Sequence, residues 1–207
     1  RPEVRRCYEE DWGFITGLGV HKDRSGAAMG RTLAIALAIG GLKQGAIEMS
    51  ARQEAVLDLA VEQVLSPALT HVNNAFVRLM MENDISIEAV LTELILSGEV
   101  ERSYGLVREL GFVGQLGFHS PTSQYGQLSR RGAFDHIDLH SQMAALLDDV
   151  TSGRFADEWD QQREAGHLRL AELWAEHANE TIAEFETDLR RRLGEKVTPT
   201  GPVPVEE

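Results

Sequence analysis

The sequence predicts a mainly α-helical protein that opens on a short β-α-β unit. Three observations carry this. Glycines mixed with apolar β-formers occupy the first fifty residues, apolar residues recur at helical spacing from 51 to 193, and 207 residues that are 43% hydrophobic suffice for one or two compact domains.

In order, WGFITGLGV (residues 12–20) reads as a strand that HKDRSG ends in a turn, GAAMGRTLAIALAIGG as an Ala-rich helix closed by Gly40-Gly41, and GAIEMS as a second strand. Two strands make a marginal sheet, so this unit expects further strands from an upstream part or from another chain. RQEAVLDLAVEQVL is an amphipathic helix, and Pro67 is placed to open the next one in the first-turn position, where a missing N–H costs little. SIEAVLTELIL is helical, with Ser86 as a cap but without a capping box, since Ala89 stands where an acid or amide belongs. The Gly-, Ser- and Pro-rich GFVGQLGFHSPTSQYGQLSRRG reads as a long connection with room for one short helix. HIDLHSQMAALLDDV and a long amphipathic run over 155–193, interrupted near Gly166, are helical, and VTPTGPVPVEE is a Pro-rich mobile end. The sequence thus divides at 1–50, 51–194 and 195–207.

Twenty Lys+Arg against 33 Asp+Glu leave a net charge of −13, the wrong sign for affinity built on phosphate neutralisation, so nucleic acid is not an expected partner. No stretch is apolar for the ~18 residues that a membrane helix needs. The lone Cys7 forms no internal disulfide, which fits a reducing, cytoplasmic setting. The first residue is Arg1 and not Met, with no secretory signal, so a processed or trimmed chain is expected.

Several constellations could carry chemistry. Asp58 and Glu62 lie four apart on one helix, which projects both carboxylates from one face. Hard cations such as Mg²⁺ take oxygen ligands of this kind, although a solvated acidic face is the commoner meaning of the spacing. Glu88, Glu93, Glu99 and Glu101 form a second acidic group, with Glu93 flanked by Leu91, Leu94 and Ile95, where an unpaired carboxylate is costly and a metal would offset the cost. The bland reading is again a wet helix face. His136 and His140 share the spacing of helical zinc ligands but lack the intervening Glu of HExxH. Gly17 and Gly19 lack the third glycine and the helix start of a dinucleotide fingerprint, so a nicotinamide cofactor finds no phosphate loop here. Val56, Leu57, Val61, Leu65, Phe76, Leu79 and Leu94 are expected in core or dimer interface, and Trp159 and Trp174 as packed aromatics.

The ordered succession of motifs resembles the ketol-acid reductoisomerase family. VRRCYEEDWGFITGLGVHKDRSGAA resembles the end of its nucleotide-binding domain, and LAIALAIGGLKQGAIEMS the passage into its helical domain. EAVLDLAVEQ resembles the DLFGEQ helix, with Asp58 and Glu62 on its metal-binding carboxylates. HSPTSQYG resembles SISNTAEYG, with Ser120 on a substrate-contacting serine and Tyr125-Gly126 on the final pair, and GRFADEWDQQREAG resembles the G-x-F-A-x-E-W late helix. Unrelated chains do not reproduce these motifs in order.

The resemblance implies a knotted helical domain of that type over 51–194, after a Rossmann-like β-α-β remnant over 1–50. It implies a homodimer in which Glu93 and Glu99 approach from the partner chain while Asp58 bridges two Mg²⁺ ions and Glu62 holds one. It further implies a small 2-hydroxy-keto acid substrate resembling acetolactate, alkyl migration, and reduction by NADPH or NADH. The family's cofactor loop and active-site lysine lie upstream of the position matching Arg1. Departures mark a divergent member. The family's second acid pair is Glu-x-x-x-Glu, which from Glu93 leaves Ser97 in the second place, while counting back from Ser120 puts Glu99 there. A two-residue insertion reconciles the counts if the helix bulges. Ala60-Val61 replaces Phe-Gly, the following Gly-Gly is absent around Ser66-Pro67, and the serine segment carries His119 and Pro121. The alternative expectation is a catalytically inactive dimeric scaffold or regulatory remnant.

Overall fold

The computed structural model describes residues 2–11, 13–178 and 181–192. Helix α1 (Pro2–Glu9) precedes strand β1 (Thr16–Leu18), helix α2 (Ala28–Ala38) and strand β2 (Ala46–Glu48). The strands pair in parallel, Thr16 opposite Ala46 and Leu18 opposite Glu48, which gives the expected β-α-β unit. The Thr16 hydroxyl donates to the Gly41 carbonyl and ties the strand to the turn after α2. Gly19 is required by close approach, because a Cβ there would stand 2.4 Å from the Met49 carbonyl oxygen.

Helix α3 (Ala51–Ala60) starts with a capping box: the Ser50 hydroxyl accepts from Gln53 N–H, and the Gln53 side chain accepts from Ser50 N–H. The signal for it in the sequence is the Ser-x-x-Gln of Ser50 and Gln53. The helix does not stop for Pro67. It runs through a π-turn (Val61–Leu65) directly into α4 (Ser66–Glu82), with helical dihedral angles at Ala60, Leu65 and Ser66. This corrects the expectation of a separate helix opening at Pro67. A proline inside a regular helix lacks a donor and crowds the carbonyl four residues back. The wide turn just ahead of it, closed by Ser66 N–H on the Val61 carbonyl, relieves that crowding and keeps the rod continuous.

Ser86 caps α5 (Ile87–Leu91) by accepting from Ala89 N–H, as expected. A second π-turn (Thr92–Leu96) follows, then Ser97 and a left-handed Gly98 (φ 74°), then α6 (Glu99–Gly114). The Gly-, Ser- and Pro-rich stretch is helical, a second correction. Helix α6 continues past a kink at Gly111 (φ 77°, ψ 170°) to a 3₁₀ turn (Gln115–Phe118), then α7 (Pro121–Arg130) and another 3₁₀ turn (Arg131–Phe134). Ser120-Pro121 is a cap followed by a first-turn proline, which is a helix start and not a loop. Helices α8 (Leu139–Ser152), α9 (Arg154–Glu164), α10 (Leu168–Ala178) and α11 (Thr181–Arg192) complete the described chain, with the expected interruption at Gly166. The mobile-end expectation for 195–207 falls outside the described residues.

A small apolar core joins Val77 of α4, Ile87, Val90 and Leu91 of α5, and Leu189 of α11, with Met80, Leu94, Leu96 and Phe185 packed against it. Of the residues expected in core or interface, Leu94 joins this cluster and Val56 is half-buried, whereas Leu57, Val61, Leu65, Phe76 and Leu79 stay exposed. Trp159 and Trp174 stay 41% and 39% exposed, less packed than expected, though Trp159 leans on the His167 ring with centroids 5.0 Å apart. The chain presents 16140 Å² to solvent. A compact monomer of its mass exposes about 9,600 Å². Among the described residues no helix is long and apolar enough to cross a membrane.

Candidate metal centre

The continuous helix sets the first acid pair. Asp58 lies in the last turn of α3 and Glu62 inside the π-turn, both exposed. Glu93 lies in the second π-turn and Glu99 is the first residue of α6, and both are exposed as well. Among the described residues none of the four carboxylates has a hydrogen bond or ion pair, while arginines elsewhere are engaged, Arg154 by Asp148 and Asp149 and Arg169 by Glu172 and Glu176. Four unpaired carboxylates in a chain of net charge −13 repel one another and attract cations.

One chain does not bring all four together: among the described residues no three acidic, histidine or cysteine side chains converge on a common point. The donor set nevertheless fits Mg²⁺, which takes one or two carboxylates and keeps waters or substrate oxygens in its remaining positions. Each pair consists of carboxylate donors of this kind. The two π-turns are what the sequence reading half-missed. It asked for a bulge between Glu93 and Glu99, where the second turn lies, and did not foresee the first, for which Pro67 inside a helical pattern was the available signal.

The surroundings of the first pair are apolar. From Leu65 at the end of the first π-turn, Leu69, Val72, Phe76 and Leu79 recur along α4 at steps of four and three, all exposed, which is the spacing of a helix–helix seam. Leu57 and Val61 extend this stripe, and Asp58 and Glu62 are their immediate neighbours, about 100° further round the helix. The acids therefore border the stripe. Beside them, Ala60, Val61, Val64 and Leu65 face His140, Met143, Ala144 and Leu147 of α8 across a groove of about 330 Å³.

Ser120 caps α7, its hydroxyl oxygen accepting from Ser123 N–H at 3.3 Å, and its own proton remains to donate. His119 before it is half-buried, with Nε2 2.9 Å from the Gln115 side-chain oxygen, and its carbonyl accepts from Gln124 Nε2. The zinc-like spacing of His136 and His140, which the sequence already showed without the intervening Glu, does not fall on one helix. Asp138 caps α8 by accepting from Ser141 N–H, so the helix begins at Leu139 and His136 lies in the preceding turn, off the helix that carries His140.

The β-α-β unit does not fit a dinucleotide. Backbone at Met49 fills the space over Gly19. The N-terminus of α2 is already occupied by the Asp23 carboxylate, which accepts from the N–H groups of Ser25, Gly26 and Ala28. These bonds, the Ala28 one foremost, hold its pKa below the ordinary carboxylate value, and a phosphate there would meet like charge.

Comparison with known proteins places this architecture. Residues 52–195 match the family described as "Ketol-acid reductoisomerase, C-terminal domain". A protein of Saccharolobus solfataricus that carries the family's name is 34% identical over 200 residues, covering 94% of this chain and 59% of its own length. The ketol-acid reductoisomerase (NADP(+)) of Methanopyrus kandleri is 32% identical over 193 residues, covering 92% of this chain and 57% of its own. The structure of an NADH-preferring ketol-acid reductoisomerase from an uncultured archean aligns with a TM-score of 0.77 over 92% of this chain and 57% of that one, at 24% identity. This chain thus spans somewhat over half the length of such relatives. It belongs to the ketol-acid reductoisomerase family.

Proposed function

We propose that residues 51–194 form the helical, metal-binding half of a Mg²⁺-dependent active site that acts on a small 2-hydroxy-keto acid resembling acetolactate, completed by a second copy of the chain. The observation that carries this reading is the position of Asp58 and Glu62: unpaired, exposed, and bordering an apolar helix stripe that one chain leaves uncovered. A second chain packed on that stripe would bring its own surface to the edge where these acids stand, and the family resemblance assigns Glu93 and Glu99 to that second chain. A two-fold pairing supplies each site twice.

Within such a site, Asp58 and Glu62 would hold Mg²⁺ from one chain, and Glu93 and Glu99 from the other. When bound, the metal supplies Lewis-acid stabilisation of the oxygen charge that develops during alkyl migration. Ser120 keeps its hydroxyl proton for the substrate carboxylate because its oxygen is fixed by the cap on α7. The apolar groove of Val61, Val64, Leu65, Met143 and Leu147 adjoins the acids in sequence at Val61 and suits the alkyl part of such a substrate. NADPH or NADH, when bound, would supply the hydride in this reading, and the β-α-β unit does not fit it.

Calorimetric titration of the purified chain with Mg²⁺, beside Asp58→Ala and Glu62→Ala, tests the reading. Saturable binding lost in either variant supports it. No binding by the wild type at millimolar Mg²⁺ points instead to the inactive dimeric scaffold.

A further inference from the structure

The two π-turns share a detail that the acids alone do not explain. Each is followed by a serine, Ser66 after the first and Ser97 after the second, and each serine hydroxyl binds a carbonyl of its own wide turn. Ser66 Oγ donates to Val61 O at 2.9 Å, beside its backbone N–H on the same oxygen. Ser97 Oγ donates to Glu93 O at 2.8 Å, while Ser97 N–H closes the turn on Thr92 O. The Ser97 oxygen also accepts from the backbone N–H of Glu99 at 3.2 Å. One hydroxyl is thus bonded to the backbones of both acids of the second pair.

The geometry matters because the spacing alone is wrong. Residues six apart on an unbroken α-helix point about 120° away from each other, so Glu93 and Glu99 on a regular helix would face different directions. The wide turn changes the angular step per residue, and left-handed Gly98 starts a new helix axis just before Glu99. Both departures lie in the short segment that the Ser97 hydroxyl spans. In the wide turn Ser97 N–H closes on Thr92 O and not on Glu93 O, and the Ser97 hydroxyl donates to the Glu93 carbonyl in its place, a back-bond of the kind that accompanies bent helices. We infer that Ser97 is a positioning residue: its hydroxyl fixes the Glu93 turn against the start of α6 and so sets the two carboxylates of the second pair relative to each other, with Ser66 holding the Glu62 turn in the same manner.

This inference rests on the metal-binding reading above, and the test separates the two. Ser97→Thr and Ser97→Val are nearly equal in shape and differ in the hydroxyl. Both are compared with the wild type by Mg²⁺ calorimetry, by Mn²⁺ electron paramagnetic resonance, and by circular dichroism as the check on folding. Loss of a group that orients a metal ligand weakens affinity by ~10-fold or more. Ser97→Val is expected to show that loss at unchanged helix content, with faster hydrogen exchange at the Glu99 amide, and Ser97→Thr to stay within ~3-fold of the wild type. Val and Thr variants that bind alike overturn the inference while leaving the metal site standing. A wild type that binds neither ion overturns the metal-binding reading and the inference together. If Ser97→Val fails to fold, Ser66→Val against Ser66→Thr decides by the same readouts, and equal binding there overturns it.

Discussion

Val72 lies midway along the exposed α4 stripe and is 56% exposed in the single chain, so Val72→Asp leaves the chain's own core of Val77, Ile87, Val90, Leu91 and Leu189 intact. Its cost arises where a second chain covers the stripe. Burying a carboxylate is cheapest in its neutral form, and protonating an Asp at pH 7 costs about 4 kcal/mol, three pKa units at roughly 1.36 kcal/mol each. The lost contact of a half-buried valine adds about 1 kcal/mol. Two-fold symmetry applies both terms twice, giving about 10 kcal/mol per dimer, or about seven powers of ten in the dissociation constant. Water reaching the carboxylate and halving the cost still leaves more than about three powers of ten. Sedimentation equilibrium at micromolar concentration is the assay, with circular dichroism to confirm that helix content is retained. The wild type is expected at twice the chain mass and Val72→Asp at the chain mass. A variant that sediments with the wild type's association constant would refute the argument that this stripe is the covered face.

Other consequences follow from the same structure. Leu91 is 2% exposed at the centre of the small core, and Leu91→Ala is expected to cost about 2–5 kcal/mol in urea unfolding, where a loss under about 1 kcal/mol would show that the cluster does not hold α4, α5 and α11 together. Gly98 adopts φ 74°, and Gly98→Ala should cost about 1–2 kcal/mol although nothing lies within 4 Å of the added methyl; a neutral result would contradict the left-handed turn. Asp23 has its pKa held below its ordinary 3.8 by the N–H groups of the turn into α2, so its stabilising contribution is complete above that value and is lost as pH falls through the lower folded-state value. Amide exchange at Ala28 should therefore accelerate on acidification below about pH 4, and Asp23→Asn should remove that dependence.

The elements that could be read from the sequence are those fixed by local chemistry. Gly40-Gly41 stopped a helix, Ser86 capped one, and apolar alternation around Gly17 and Ile47 marked strands. What escaped was decided by competition between neighbours. Pro67 carries a strong break signal, but a π-turn lets the helix absorb it, and that outcome depends on the carbonyl geometry of Val61 and the hydroxyl of Ser66. The glycines from Gly111 to Gly132 read as a loop because propensity penalises them, yet Gly111 takes the kink and Ser120-Pro121 restarts the helix. Leu57, Val61, Leu65, Phe76 and Leu79 could be chosen as buried residues, but periodicity states that a face is covered and not by what. For the same reason spacing made the four carboxylates visible as candidates, while the two-chain assembly proposed for them came from the resemblance alone. Spacing reports which residues share a helix face, and it carries no information about contacts between chains.

The central claim is that acids from two chains meet in one metal site, and mixed dimers test it most directly. Differently tagged chains carrying Asp58→Ala with Glu62→Ala, and Glu93→Ala with Glu99→Ala, are co-expressed, and the mixed species is purified and titrated with Mg²⁺. The account predicts no binding by either homodimer and one site of wild-type affinity in the mixed dimer, because one edge then combines Asp58 and Glu62 of one chain with Glu93 and Glu99 of the other. A mixed dimer without binding, or a Glu93→Ala, Glu99→Ala homodimer that binds like the wild type, would contradict it.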